Sequence, residues 1–236
     1  MSDTRSNLSC SFNDELEANH GITKDYSVNS DILIIAFGGM AGNLIIPPFE
    51  FFKITSDIPT KKLYLRDFEQ VWYHSGVVGY ADSVETLKEF LLSEIVRSGS
   101  TKVIIIGNSL GGYAALLFGF LLQANRVLSF SPQTFLGRSR RLLYGDTRFK
   151  PHINNLYLRG NQKFFNLKPF LKERSVRTEF NIFYSEFDRQ DSVHAKRLRK
   201  CERVNIHGFR IGGHGLVKHL RDDGRLKEIL LNSLSF

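Results

Sequence analysis

Gly107-Asn108-Ser109-Leu110-Gly111 lies between two segments of opposite character. Before it runs the β-branched stretch Val103-Ile104-Ile105-Ile106, and after it come Ala114, Ala115, Leu116, Leu117 and Phe118 in a segment of helical length. The order is strand, tight turn, helix. A serine lifted off a sheet edge by such a turn is placed for nucleophilic attack, because a base can reach its hydroxyl. That hydroxyl is a weak nucleophile until the base takes its proton and donors stabilise the attacked carbonyl oxygen. Gly107 and Gly111 fit this need, since a Cβ at either position would run into the neighbouring strand or helix. The Leu110 amide, opening the helix, would aim at a developing oxyanion where the helix dipole favours negative charge. The plainer reading is a glycine-flanked loop with an ordinary serine. The strand before it and the helix after it argue against that.

The elements around this turn alternate. Apolar, β-branched runs predict strands at residues 31–37, 61–66, 102–106, 126–130, 179–184 and 203–207. Helical periodicity through Val84, Leu87, Phe90, Leu91 and Ile95 predicts a helix over residues 83–97, closed by Ser98-Gly99-Ser100. Further helices are expected over residues 110–124, 192–201 and 215–234. Strands alternating with helices predict an α/β fold: a doubly wound, mostly parallel sheet of about six to eight strands with helices on both faces. Reactive groups should then gather at the carboxyl ends of the strands. Residues 1–30 read as a polar N-terminal arm with room for one edge strand, and residues 31–236 as one α/β domain. A basic, lid-like insertion interrupts the alternation at about residues 133–176.

The strand–Gly-x-Ser-x-Gly–helix turn and this alternation resemble the α/β-hydrolase superfamily, of the serine-esterase kind with a small cap, over about residues 31–232. The resemblance implies Ser109 as nucleophile, followed in the chain by an acid and then a histidine. The loop after the last predicted strand, Gly208-Phe209-Arg210-Ile211-Gly212-Gly213-His214-Gly215, offers His214 as the base. His219 would fall a turn into the closing helix, and His207 inside the strand. The loop Tyr184-Ser185-Glu186-Phe187-Asp188-Arg189-Gln190-Asp191 offers three carboxylates. The superfamily pattern implies Asp188 as the acid, with Asp191 the alternative acid or the cap of a helix starting near Ser192. Phe37-Gly38-Gly39-Met40 resembles an oxyanion loop with Phe37 where a histidine often stands, so Gly39 or Met40 would join Leu110 as amide donors. Phe49, Trp72, Tyr73 and Phe135 follow predicted strand ends and are candidates to line a substrate pocket, although each is of a type more often found packing a core.

The implied chemistry is cleavage of a carboxylic ester, or a thioester, through an acyl-enzyme, with no metal and no organic cofactor. The same groups would serve an acyltransferase with a sugar or other alcohol acceptor. A non-catalytic hydrolase-fold binding protein is the reading from another class. The net charge is +8, and residues 136–175 hold ten Lys/Arg against Asp146 and Glu173. Such a face suits an anionic small-molecule or glycan ester, and equally a solvated surface. No nucleic-acid-binding motif accompanies the charge. The longest apolar segment, residues 110–124, has 15 residues including three glycines, too few to span a bilayer. Residues 1–20 carry no apolar core of a signal peptide, and the two cysteines, Cys10 and Cys201, are far apart. Both favour a cytoplasmic location. The oligomeric state is not legible in the sequence.

Overall fold

The computed structural model describes residues 21–39 and 49–235. A seven-stranded sheet forms its centre, in the order β1-β3-β2-β4-β5-β6-β7. The strands are β1 (Ile22–Asp25), β2 (Ile32–Phe37), β3 (Lys61–Leu65), β4 (Lys102–Asn108), β5 (Arg126–Phe130), β6 (Glu179–Ser185) and β7 (Val204–Phe209). Only β1 is antiparallel to its neighbour, β3; every other pair is parallel. The edge strand β1 therefore lies inside the segment expected to be a polar arm. Ile22–Asp25 belong to the sheet, and residues 1–20 lie outside the described residues.

The continuous apolar strands follow from cover on both faces. On β2, Leu33, Ile35 and Phe37 face one core, shared with Leu87 and Leu91 of α2 (Val84–Ser98) and with α3 (Leu110–Leu122). The alternate residues Ile34 and Ala36 face a second core. Leu216 and Leu220 of α8 (Leu216–Asp222), Leu226 and Leu230 of α9 (Arg225–Asn232) and Phe51, just before the short α1 (Phe52–Thr55), complete that layer. Burying each such aliphatic side chain contributes about 2 kcal/mol, so cover on both faces is the main driving term for the sheet. α2 begins where its local chemistry says it should. Ser83 and Thr86 form a reciprocal capping box, and Gly99 ends the helix in the left-handed region.

The insertion is helical. α4 (Arg138–Tyr144), α5 (Lys150–Arg159) and α6 (Lys168–Leu171) separate β5 from β6, and α7 (Arg189–Lys196) separates β6 from β7. Ile153, Leu156, Phe164, Phe165 and Leu171 of the insertion join the core that contains α3, so this segment is packed onto the domain. Among the described residues, no helix is long and apolar enough to cross a membrane.

Candidate active site

Ser109 sits between β4 and α3 with φ 52° and ψ −112°. A non-glycine residue there costs on the order of 1–3 kcal/mol and needs the surroundings to hold it. Two bonds do so: the Ser109 amide donates to the Phe130 carbonyl (2.8 Å), and the Tyr113 amide donates to the Ser109 carbonyl (3.0 Å). A Cβ on Gly107 would collide with the Gly111 carbonyl, and one on Gly111 with the Phe37 carbonyl. Both glycines are thus required by close backbone approach. Leu110 is the first residue of α3, so its amide has no acceptor within the helix.

His214 arrives from the far edge. After β7 the chain turns through Gly212 and Gly213, both at positive φ, into a 3-10 turn over Gly213–Gly215. The Gly213 amide donates to Ser185 Oγ at 3.1 Å and pins this turn to the end of β6. His214 Nε2 then lies 2.9 Å from Ser109 Oγ. Its Nδ1 lies 3.0 Å from both carboxylate oxygens of Asp191. An acceptor at Nδ1 fixes the proton there and leaves Nε2 free to accept from the serine. Asp191 is 1% exposed. Burial pushes its pKa up, but the bonds and charges of His214 and Arg148 outweigh this and hold it below the usual carboxylate range.

The acid expected from the sequence was Asp188, and the structure corrects this. α7 starts at Arg189 rather than near Ser192, and Asp188 is its N-cap, accepting the Asp191 amide at 2.8 Å. A helix start three residues earlier exchanges the two carboxylates: Asp188 takes the cap and Asp191 is carried inward to the imidazole. Of the other candidates, Glu186 pairs with Arg210 at 3.1 Å, and His207 lies 3.1 Å from Asn181 and stacks on Phe183. His219 packs against Gly212 from α8.

The oxyanion loop also differs from expectation. The Gly39 amide donates to Glu50 Oε2 at 2.9 Å, while Glu50 Oε1 accepts from Asn108 Nδ2 at 2.6 Å. Glu50 thus bridges the loop after β2 to the residue preceding Ser109, and it takes the hydrogen bond expected for a substrate oxygen. Desolvation of its carboxyl end raises the Glu50 pKa, against these bonds and the charges of Arg221 and His214. Met40, the alternative donor, lies outside the described residues.

The four aromatic pocket candidates are core residues. Trp72, Tyr73 and Phe135 are 0% exposed and Phe49 is 3% exposed, so none offers surface to a ligand. Each is tied to protein. Arg66 lies over the Phe49 ring at 3.9 Å, and Trp72 Nε1 donates to Gln133 Oε1 at 3.0 Å. Tyr73 Oη reaches the Gly38 and Leu65 carbonyls, and the Phe135 ring lies 4.1 Å from that of His194.

Sequence reasoning missed Arg148 and Phe149. Arg148 Nη1 donates to Asp191 Oδ1 at 2.8 Å and stands 3.8 Å from Asp188 Oδ1. It also lies 3.5 Å from His214 Nδ1, but a protonated Nδ1 has no lone pair to offer it. Asp188, Asp191 and His214 bring three possible metal-ligand atoms within 4.8 Å of one another. The guanidinium already holds the cation position between the two carboxylates. The Phe149 ring lies 5.8 Å from that of His214. The one available signal was Asp146, a lone acid two residues before Arg148 in a strongly basic run. Much of that run's charge is engaged internally: Arg141 and Arg148 face Asp146, Arg159 pairs with Glu69, and Arg138 stacks on Tyr157.

No protein-family model matches the sequence, and no curated protein matches it. Solved structures do. The capsule O-acetyltransferase of Neisseria meningitidis serogroup A is 17% identical with a TM-score of 0.63, over 87% of this chain and 90% of that one. A lipase-esterase related protein from Clostridium acetobutylicum is 13% identical with a TM-score of 0.58, over 89% of this chain and 98% of that one. An alpha/beta hydrolase enzyme from the metagenome of lagoon sediments at Mar Chica, Morocco, is 17% identical with a TM-score of 0.56, over 91% and 95%. With the sheet order above, these similarities establish the α/β-hydrolase fold for this chain.

Proposed function

We propose that the protein is a serine hydrolase that cleaves a carboxylic ester through an acyl-enzyme. One observation carries this reading: Ser109 Oγ meets His214 Nε2 at 2.9 Å while His214 Nδ1 is held by buried Asp191. In the proposed reaction Ser109 Oγ attacks the ester carbonyl as His214 Nε2 takes its proton. The Leu110 amide donates to the oxyanion, a contribution worth about 3 kcal/mol where such donors have been removed. The imidazolium, stabilised by Asp191, then protonates the leaving alcohol. A water attacks the acyl-enzyme with His214 again as base, and Ser109 is regenerated.

Acyl transfer is the second reading. The fold likeness to a capsule O-acetyltransferase favours it, and a sugar hydroxyl would replace water in the last step. The insertion frames a polar cleft of about 580 Å³ between Arg138, Ser139, Arg140, Gln162 and Asn166, the kind of surface that suits a glycan or an anionic acceptor.

The test is fluorophosphonate labelling of the wild type beside Ser109→Ala and His214→Ala, with the adduct mapped by mass. Labelling at Ser109 that both substitutions abolish supports the reading. A folded wild type that neither labels nor turns over small activated esters refutes it. Turnover of an acetyl ester with and without a glycan acceptor then separates the two readings: acetylated acceptor means transfer, and acetate alone means hydrolysis.

A further inference from the structure

A second imidazole–carboxylate pair is buried beside the first. His194 and Asp146 are both fully buried side chains, with His194 Nε2 2.9 Å from Asp146 Oδ2. His194 Nδ1 accepts the Thr134 amide at 2.9 Å, so the proton sits on Nε2 and is donated to Asp146. Against the effect of burial, the bonds from His194 and Arg148 hold the Asp146 carboxyl far below the usual range. Asp146 in turn receives Arg148 Nε at 3.2 Å and Nη2 at 3.3 Å. The remaining arm of the guanidinium reaches Asp191. The result is one continuous chain: Thr134 amide, His194, Asp146, Arg148, Asp191, His214, Ser109. The next residue, Phe149, turns at φ 57° and sets its ring beside the His214 imidazole. The insertion therefore touches both the acid and the base.

We propose that Arg148 is a positioning residue of the Ser109–His214–Asp191 constellation, anchored by Asp146, which fixes Asp191 against His214 and sets how strongly that carboxylate draws a proton onto the imidazole. This deepens the proposed function and rests on it. A guanidinium bonded to Asp191 occupies one of its lone pairs and opposes positive charge on the adjacent ring. The charged and titratable groups facing His214 are Asp191 and Asp188 from the α7 end, Arg148 from the insertion, Ser109 from the turn and Glu50 from the loop before α1. Arg148 is the cation that bonds the acid, and its side chain is only 21% exposed. Its charge is turned to three carboxylates, so it is not an open anchor for an anionic substrate.

The experiment compares the wild type with Arg148→Gln, Asp146→Asn and, as a control on the same segment, Arg138→Gln. Two readouts are taken: the acid limb of the pH–rate profile for an activated ester, and the His214 imidazole titration by NMR, which needs no turnover. In Arg148→Gln the midpoint of both moves up by about one to two pH units, because a neighbouring positive charge is gone. In Asp146→Asn it also moves up, by less, because Arg148 loses its anchor and with it its hold on Asp191; loss of a nearby negative charge alone would move it down. Arg138→Gln leaves it in place. If Arg148→Gln does not fold, the upward shift in Asp146→Asn carries the test, and a downward shift overturns the proposal. Lower activity with an unmoved midpoint overturns the proposal, since a merely structural arginine would lower activity or stability alone. Failure of Ser109 to label, with the His214 midpoint still shifting, defeats the serine reading and leaves the role of Arg148 standing.

Discussion

Asp188 Oδ1 accepts the Asp191 amide at 2.8 Å, so the carboxylate that caps α7 and the one that holds His214 stand a single helical turn apart. The two are separable by mutation. Asp191→Asn leaves the wrong group at His214 Nδ1, and labelling of Ser109 should slow by about 10³–10⁴-fold. Asp188→Ala removes a cap worth about 1 kcal/mol. Its urea midpoint should fall, with labelling within about tenfold of the wild type. A larger labelling loss at Asp188 than at Asp191 would return the acid role to Asp188.

Glu50 invites the opposite direction of change. Its carboxylate takes the Gly39 amide, and a negative charge there opposes an oxyanion forming nearby. Glu50→Ala should therefore raise the rate of Ser109 labelling several-fold, if Gly39 is the second oxyanion donor. A loss of more than about tenfold would mean instead that the bridge from Gly39 to Asn108 is what holds the turn in shape.

Asp67 predicts a pH dependence of stability. Its Oδ2 accepts the Val71 and Tyr73 amides at 2.8 Å each, and so secures a loop in which Gln70, Trp72 and Tyr73 all have positive φ. Burial outweighs those bonds and pushes its pKa up to about 6, from 3.8. A raised folded-state pKa means that the folded protein binds this proton more tightly than the unfolded chain. The stabilisation is therefore fully present below about pH 4 and is lost as pH rises through about 6. Asp67→Asn is neutral throughout and keeps a carbonyl acceptor. Relative to the wild type, the variant should gain stability between pH 4 and 7 in urea unfolding. A difference that stays constant across that window would show that Asp67 does not titrate there.

Trp72 tests the wall behind His214. Its Nε1–H donates to Gln133 Oε1, and Gln133 Nε2 is already without a partner among the described residues. Trp72→Phe would leave the whole buried amide unsatisfied, at a cost of about 1–3 kcal/mol. Because Trp72 packs on Phe149, which packs on His214, labelling of Ser109 should weaken as well. An unchanged urea midpoint would mean that the amide finds another partner.

The sequence alone determined the parts of this protein that local backbone chemistry dictates. Ser109 was legible because a strand, a Gly-x-Ser-x-Gly turn and an apolar helix must be contiguous to make that turn, and Gly107 and Gly111 have no room for a Cβ. The parallel strands were legible because cover on both faces demands unbroken apolar runs. His214 was offered by the resemblance, which puts a histidine in the loop after the last strand, and the structure brings its Nε2 to 2.9 Å from Ser109 Oγ. The position of the edge strand β1 within residues 1–30 was not, since its sequence, Ile22-Thr23-Lys24-Asp25, has one buried residue and pairs, among the described residues, only with β3.

Only the tertiary structure decided which carboxylate meets the imidazole. Asp188 and Asp191 differ by one turn, and the choice hangs on where α7 begins, a boundary that cap chemistry permits at either residue. The same holds for Glu50, 58 residues from its partner Asn108, and for Arg148, 43 from Asp191 and 66 from His214. No periodicity or turn rule links such positions. A basic segment read for its net charge gave no hint that Arg141 and Arg148 turn inward, because holding the Arg148 cation there required three carboxylates that only the folded chain brings to it.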